Sequence, residues 1–376
     1  MARDYERILL LARPSIGDVL LATPLLHALR ARWPQAVVDV LIYSGHEQIL
    51  EGNPDVDDVI SVGKHPSLRE YREQMRRMGR NYDLGMSVST SDRALLYLLA
   101  CARDRYSVVP ADETSGGWRS AWKRWICRDT LPADPDMHTL EQNHRLGRLA
   151  GLAPGYAVVP PRCPDSDRTL SEALPAVWER ERYAVLHLTP GHPFKRWHLD
   201  GWRSLAAWLQ ARGVAVVLTG STGAEERTYL DAAAEALPAG VHSVAGRLRL
   251  GHLSALLERC VLYVGPDTVA THLAAAVGAS TVAIFGPTNP LKWAPWPRGY
   301  AGPQQPFARI GTRRSGNVFL VQGPGECVPC QKQGCERHRW SRSDCLDQLE
   351  AKLVIAAAEQ MLDDGPARGV RQASST

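Results

Sequence analysis

The stretch RILLLARPSIGDVLLATP spans Arg7–Pro24 and decides how the chain is read. Its apolar run from Ile8 to Ala12, within a segment 7–13, reads as a buried strand. A helical pattern follows over 18–32. Gly17 and Asp18 stand between the two, Gly17 as the residue that lets the chain turn and Asp18 as the first residue of the helix. Taken alone, Asp18 reads as a helix cap.

The same strand-then-helix rhythm continues outward. Strands are expected at 36–43, 57–62, 82–88 and 105–109, with helices at 67–80 and 92–102. Alternation of this kind implies a parallel sheet with helices on both faces. Residues 152–176 are rich in Pro, Asp, Ser and Gly and read as a linker. Beyond it, strands are expected at 183–188, 214–220, 261–265 and 281–286. Helices are expected at 199–212, 224–236, 251–259 and 268–277. The fold class is therefore α/β: two Rossmann-like, doubly wound parallel-sheet domains. The expected bounds are 1–165 and 176–345, then a C-terminal helix over 346–363 and a disordered tail over 364–376. Ligands of such sheets bind at the carboxyl ends of the strands, so two facing sheets would line a cleft.

Bulk properties agree. The chain has 376 residues, which suits two domains of average size. Its net charge is only +4, and residues 1–150 hold 20 Lys/Arg against 20 Asp/Glu. That balance argues against nucleic acid as the main partner. The N-terminus does not read as a signal peptide. The longest apolar run, Ala94–Ala102, is nine residues, whereas a membrane span needs roughly 20. A cytoplasmic protein is expected, with room for peripheral contact with a membrane surface.

Four features fall at expected strand ends: Asp18, TPGHPFKRW (189–197), TGSTGAEE (219–226) and GPDTVATHLAAA (265–276). Lys195 precedes a helix and adds a full charge where helix N-termini already attract anions; the bland alternative is a surface lysine. Asp267 and Thr268 open the helix that carries His272, and both are good capping residues. Gly286, Pro287 and Thr288 read as a turn that can bring backbone close to a ligand. Glu225 and Glu226 complement a helix dipole, or accept hydrogen bonds from ribose hydroxyls. No Walker A motif and no G-x-G-x-x-G follows a strand, which weakens readings based on NAD or a P-loop.

The motifs together carry a resemblance. I-G-D-V-L-L-A-T-P near the start, His187 through Lys195 to Trp197, D-T-x-x-x-H-L-A-A-A-x-G from Asp267 and F-G-P-T-x-P from Phe285 resemble glycosyltransferase family nine. These are lipopolysaccharide heptosyltransferases of the GT-B fold, and the similarity runs over roughly residues 6–363. Residues 39–59 and 291–297 look most like the heptosyltransferase III branch, as does Val269 where many relatives have Gly. The resemblance implies inverting transfer of heptose from an ADP-activated donor to a lipid-linked inner-core oligosaccharide, without a catalytic metal. By motif position it implies Asp18 as general base and Lys195 on donor phosphate. It implies Glu225 on the ribose, and Asp267, Thr268, His272, Gly286, Pro287 and Thr288 around the donor.

Two features stand apart. Cys327, Cys330, Cys335 and Cys345 have the spacing C-x2-C-x4-C-x9-C, suited to a structural zinc or iron; four reduced thiols are the alternative. Bacterial autotransporter heptosyltransferases resemble the family and carry an iron-bound cysteine motif. The segment GGWRSAWKRWICR (116–128) places Trp118, Trp122 and Trp125 on one helical face, with Arg119, Lys123, Arg124 and Arg128 elsewhere. It reads as a membrane-surface helix or the wall of an acceptor site, or else as core tryptophans with solvated cations. Two other functions stay in view. One is transfer of heptose or another sugar to a protein or other glycan. The other is a metal-stapled nucleic-acid module using Arg309, Arg313, Arg314, Arg337, Arg339 and Arg342.

Overall fold

A computed structural model describes residues 4–12, 15–79, 81–111, 122–123, 125–178, 182–221, 223–302 and 304–364. It divides into two compact units, with the boundary between Pro161 and Arg162 and residues 301–303 joining the first.

The first unit is built on a sheet ordered β3-β2-β1-β4-β5-β6. Its strands are β1 (Arg7–Leu11), β2 (Val37–Tyr43), β3 (Asp58–Val62), β4 (Tyr82–Ser87), β5 (Ala102–Val109) and β6 (Asp129–Pro132). Every pairing is parallel. Ile8 to Leu11 are fully buried, as a central strand covered on both faces requires. The order runs outward in both directions from β1 and β4, so the crevice of a doubly wound sheet opens at their carboxyl ends. Asp18 lies just beyond the end of β1.

The second unit carries β7 (Tyr183–His187), β8 (Ala215–Thr219), β9 (His242–Ser243), β10 (Leu262–Pro266), β11 (Thr281–Phe285), β12 (Arg313–Ser315) and β13 (Val318–Gln322). Their order is β12-β13-β11-β10-β7-β8-β9. All pairs are parallel except the edge pair β12–β13. The helix Ala351–Asp363 buries Val354, Ala357, Ala358 and Met361 in the core of this unit.

Several expectations shift. The helix expected over 18–32 is two helices, Ile16–Leu21 and Thr23–Arg32, meeting at Ala22. The stretch read as a linker contains the helix Ser166–Ala173, which buries Leu170. Most of the expected tail, residues 365–376, lies outside the described residues. The helix Thr139–Leu149 and the strands β6, β12 and β13 were not expected from the apolar pattern.

Candidate active site

In the second unit, side chains gather where β7, β10 and β11 end. Lys195 lies on a short 3-10 turn, Pro193–Lys195, after β7. Its Nζ donates to Asp267 Oδ2 at 2.5 Å. Asp267 follows β10 directly and is nearly buried. Burial pushes its pKa up, but Lys195, His272 and a hydrogen bond from Thr288 outweigh burial and hold the carboxyl below its usual value. Asp267 is therefore ionised at neutral pH and fixes the Lys195 ammonium in place.

Thr268 is the N-cap of the helix Val269–Val277, yet no side chain caps that helix. Of the two residues read as possible caps, Thr268 takes the N-cap position without a side-chain cap bond, and Asp267 caps nothing. Asp267 is drawn off by Lys195, and Thr268 Oγ1 lies 3.4 Å from Thr271 Oγ1. Thr271 is itself bonded to the Pro266 carbonyl and the Tyr263 hydroxyl. An uncapped first turn leaves backbone N–H groups for an anion.

His272 sits one turn into the same helix and is 7% exposed. Burial, with the Lys195 charge, lowers its pKa to about 4 despite the opposing pull of Asp267. It is neutral at pH 7. Its Nδ1 is buried and has no hydrogen-bond partner among the described residues. Thr189 Oγ1 and Asn289 Nδ2 are buried without partners in the same way. Such groups are rare in folded proteins and mark places where a ligand or water completes the bonding. Thr189 and Asn289 were not singled out in the sequence; short polar residues after a strand are too common to carry that signal. The arrangement offers one oriented cation, an open helix N-terminus, an ionised carboxylate for sugar hydroxyls and a neutral imidazole. Together these suit a sugar attached to a diphosphate.

The loop 286–288 packs against a later segment of the chain. A Cβ on Gly286 would lie 2.7 Å from Leu346 Cγ and 3.1 Å from Cys345 Sγ. Packing against these two residues requires a glycine at this position. The Pro287 carbonyl accepts from the Gln331 N–H at 2.7 Å. Thr288 alone of the three reaches Asp267. Glu225 lies in the first turn of the helix Ala224–Ala236, and its side chain lies outside the described residues. Its neighbour Glu226 accepts from Ser221 Oγ at 2.6 Å.

In the first unit, Asp18 is the third residue of Ile16–Leu21 and is 5% exposed. It closes a capping box with Ser15. Ser15 N–H and Oγ donate to Asp18 Oδ2 at 3.0 and 2.7 Å, and Asp18 N–H donates to Ser15 Oγ at 3.2 Å. Both Ser15 bonds thus fall on one carboxylate oxygen. Gly17 has no unusual backbone angle, and a Cβ there would meet only Ser15 Oγ, at 3.8 Å. The expectation that Gly17 is needed for a tight turn is corrected: it is the second residue of the helix Ile16–Leu21.

The basic aromatic segment is also revised. Trp118 and Arg119 lie outside the described residues. Trp122 packs partly buried against the core of the first unit, while Trp125 is 88% exposed. Lys123, expected on an outer basic face, is instead buried, with its ammonium 2.8 Å from Asp92. Pairing makes that burial tolerable. No helix among the described residues is long and apolar enough to cross a membrane.

Of the four late cysteines, Cys327, Cys330 and Cys335 lie near enough to Cys345 to act on its thiol, but the four are not gathered closely enough to share an ion as they stand. Burial, then the adjacent thiols of Cys330, Cys335 and Cys327, push Cys345 up to about 12. Asp344 N–H points at Cys335 Sγ at 3.4 Å. Among the described residues, however, the group whose ligand atoms lie within 4.8 Å of one another is Cys163, Asp165 and His252. There His252 bonds Asp165 through Nε2 at 3.0 Å and accepts from Arg249 N–H through Nδ1, which ties a helix start to its neighbour. Of the arginines weighed for nucleic acid, Arg314 pairs with Asp364 and Arg342 with Asp347.

The family model for glycosyltransferase family 9 (heptosyltransferase) matches residues 76–302, more than half of the chain. The chain is 27% identical to lipopolysaccharide heptosyltransferase 3 of Escherichia coli K12, over 93% of its own length and 96% of that protein. The E. coli ADP-heptose lps heptosyltransferase II structure superposes with a TM-score of 0.71 at 19% identity, covering 95% of this chain and 99% of that one. The iron-containing dodecameric glycosyltransferase TibC from enterotoxigenic E. coli H10407 superposes with a TM-score of 0.53 at 12% identity, covering 96% and 77%. These two structural likenesses show the fold, the two-sheet GT-B architecture.

Proposed function

Since the chain belongs to glycosyltransferase family 9, the heptosyltransferases, we propose that it transfers heptose from an ADP-activated heptose to the inner-core oligosaccharide of lipopolysaccharide. The observation that carries this reading is the Lys195–Asp267 pair beside the uncapped helix start, with the neutral His272 behind it. As the bond from the anomeric carbon to the diphosphate breaks, negative charge grows on phosphate oxygens. Lys195 and the free N–H groups of the helix Val269–Val277 are already oriented to receive it. Asp267 keeps Lys195 in place and accepts from hydroxyls of the sugar. His272 Nδ1 finds its missing partner on the donor.

Asp18 takes the proton from the acceptor hydroxyl as that oxygen attacks the anomeric carbon from the face opposite the leaving group. Transfer therefore inverts the configuration. The capping box holds the carboxylate through Oδ2, and an ionised carboxylate held in this way can accept a proton. The Ser15 bonds hold the group in one rotamer.

The acceptor is lipid-linked, and the exposed Trp125 suits peripheral contact with the cytoplasmic face of the inner membrane. The cysteine set Cys327, Cys330, Cys335 and Cys345 is proposed as a structural zinc or iron site. The metal would draw these neighbouring thiols to a common centre, and four thiolates would leave it no open position for catalysis. Elemental analysis of anaerobically purified protein tests that part.

The central test is thermal shift with ADP-heptose, ADP, UDP and GDP sugars. Ligands of the folded state raise its melting temperature with the logarithm of occupancy. ADP and ADP-heptose are expected to stabilise the protein, and selective stabilisation by UDP or GDP sugars would overturn the donor assignment.

A further inference from the structure

Lys195 stands on a three-residue 3-10 turn, a conformation with poor internal hydrogen bonding. Something outside the turn must hold it. The buried Ser343 hydroxyl donates to the Phe194 carbonyl at 2.6 Å, inside the turn itself. Just downstream, Trp197 Nε1 and His198 Nε2 both donate to the Leu349 carbonyl at 2.9 Å. A Cβ on Gly334 would lie 3.0 Å from Phe194 Cβ, so the chain passes close against that ring's base.

The same segment grips the other donor loop. Gln331 N–H bonds the Pro287 carbonyl at 2.7 Å, one residue before Thr288. Leu346 and Cys345 press against Gly286. Residues 323–349 thus contact both the turn that bears Lys195 and the loop that bears Thr288, and these two side chains meet on Asp267.

We propose that residues 323–349 form a clamp holding the two donor loops in register, with Ser343 as the positioning residue for Lys195. The inference rests on the donor-site reading above and deepens it. Without the Ser343 hydroxyl, the Phe194 carbonyl is left buried and unpaired, and the turn relaxes to rebond it. Lys195 then leaves the position set by Asp267. Small displacements of an oriented charge are costly to binding even though no contact residue has changed.

The test uses the full chain, ADP and the ADP-heptose donor. Ser343→Ala is expected to weaken ADP by roughly 5–20-fold in calorimetry and to raise the donor KM by a similar factor, with kcat falling as well because Lys195 also meets the charge that grows on phosphate, and with the acceptor KM unchanged. Ser343→Thr, which keeps the hydroxyl, is expected to restore both within about twofold. Should Ser343→Ala melt below the assay temperature, Ser343→Cys takes its place, with its weaker donor giving an intermediate loss. Wild-type ADP affinity and donor KM in Ser343→Ala would overturn the clamp, as would losses in Ser343→Thr as large as those in Ser343→Ala. Wild-type protein that fails to bind ADP overturns the donor-site reading instead, and the clamp falls with it.

Discussion

Asp18 and Asp267 follow central parallel strands, one in each unit, and each stands at the start of a helix. In sequence the two look alike. In the structure they are opposites. Asp18 shares a capping box with Ser15, three residues away. Asp267 gives nothing to its helix and is bound to Lys195, 72 residues away. The first helix start is closed by its own side chains, and the second has no side-chain cap. A closed start with an acid suits a group that must stay in one rotamer and accept a proton. An open start beside a lysine suits an anion. The identity of the partner, a nearby serine or a distant lysine, makes the difference.

The largest expected effect breaks the comparison on the first side. Asp18→Asn keeps the shape of the capping residue and removes its basicity. Transfer is expected to fall by roughly 10²–10⁴-fold, the usual contribution of a positioned general base. ADP affinity, which the proposed donor site assigns to the second unit, is expected to stay at the wild-type level. Turnover at the wild-type rate would show that Asp18 is only a cap.

The next effect breaks the other side. Lys195→Ala removes the cation and leaves Asp267 as a buried, unpaired carboxylate. Donor KM is expected to rise by about 10–100-fold, and melting is expected to fall because breaking a buried pair costs up to about 3–5 kcal/mol. Lys195→Ala, Asp267→Asn is expected to recover stability without recovering donor binding. If the double variant melts no higher than the single one, the pair is not what holds Asp267 in place.

A third effect is read from pH. His272 and His187 are buried neutral, each lowered to about 4, by burial above all. The unfolded chain takes up these protons near 6.5, so it binds more protons than the folded state between about 4 and 6.5. Stability is therefore lost as pH falls through that window. Asp267 has a lowered folded pKa, so its contribution is present at higher pH and is lost only on further acidification, below the ordinary carboxylate value of 3.8. Melting is expected to drop by on the order of 5 °C between pH 7 and 5. His272→Asn is expected to flatten part of that slope, and an unchanged slope would place the proton uptake elsewhere.

The contrast between the two aspartates also shows what a sequence carries. Strands β1, β7, β10 and β11 were legible because strands buried on both faces are written as near-continuous apolar runs. Strand β6, with the sequence DTLP, and β12, with RRS, lie at sheet edges and lack that signature. The capping box was legible in principle, since Ser15 and Asp18 have the S-x-x-D spacing. The Lys195–Asp267 bond was not, because nothing local records a partner 72 residues away. The same limit hid Lys123, whose burial depends on Asp92. Gly286 shows the same limit. A glycine in a loop signals close approach, and only the fold says that Leu346 and Cys345 approach it.

The smallest effect sharpens the comparison by making the two helix starts alike. Ser15→Ala opens the first helix while leaving Asp18 in the chain. Loss of an N-cap side chain costs about 1 kcal/mol, so stability is expected to fall by that order. The Ser15 bonds also hold the Asp18 carboxylate in one rotamer, since a backbone N–H and a hydroxyl both donate to it. Without them, kcat is expected to fall while ADP affinity and the donor KM stay at the wild-type level. The split matters more than the size. If Asp18 is the base, loosening it slows the proton-accepting step and leaves donor binding alone. A kcat that stays fixed while stability falls would mean that Ser15 serves the helix alone.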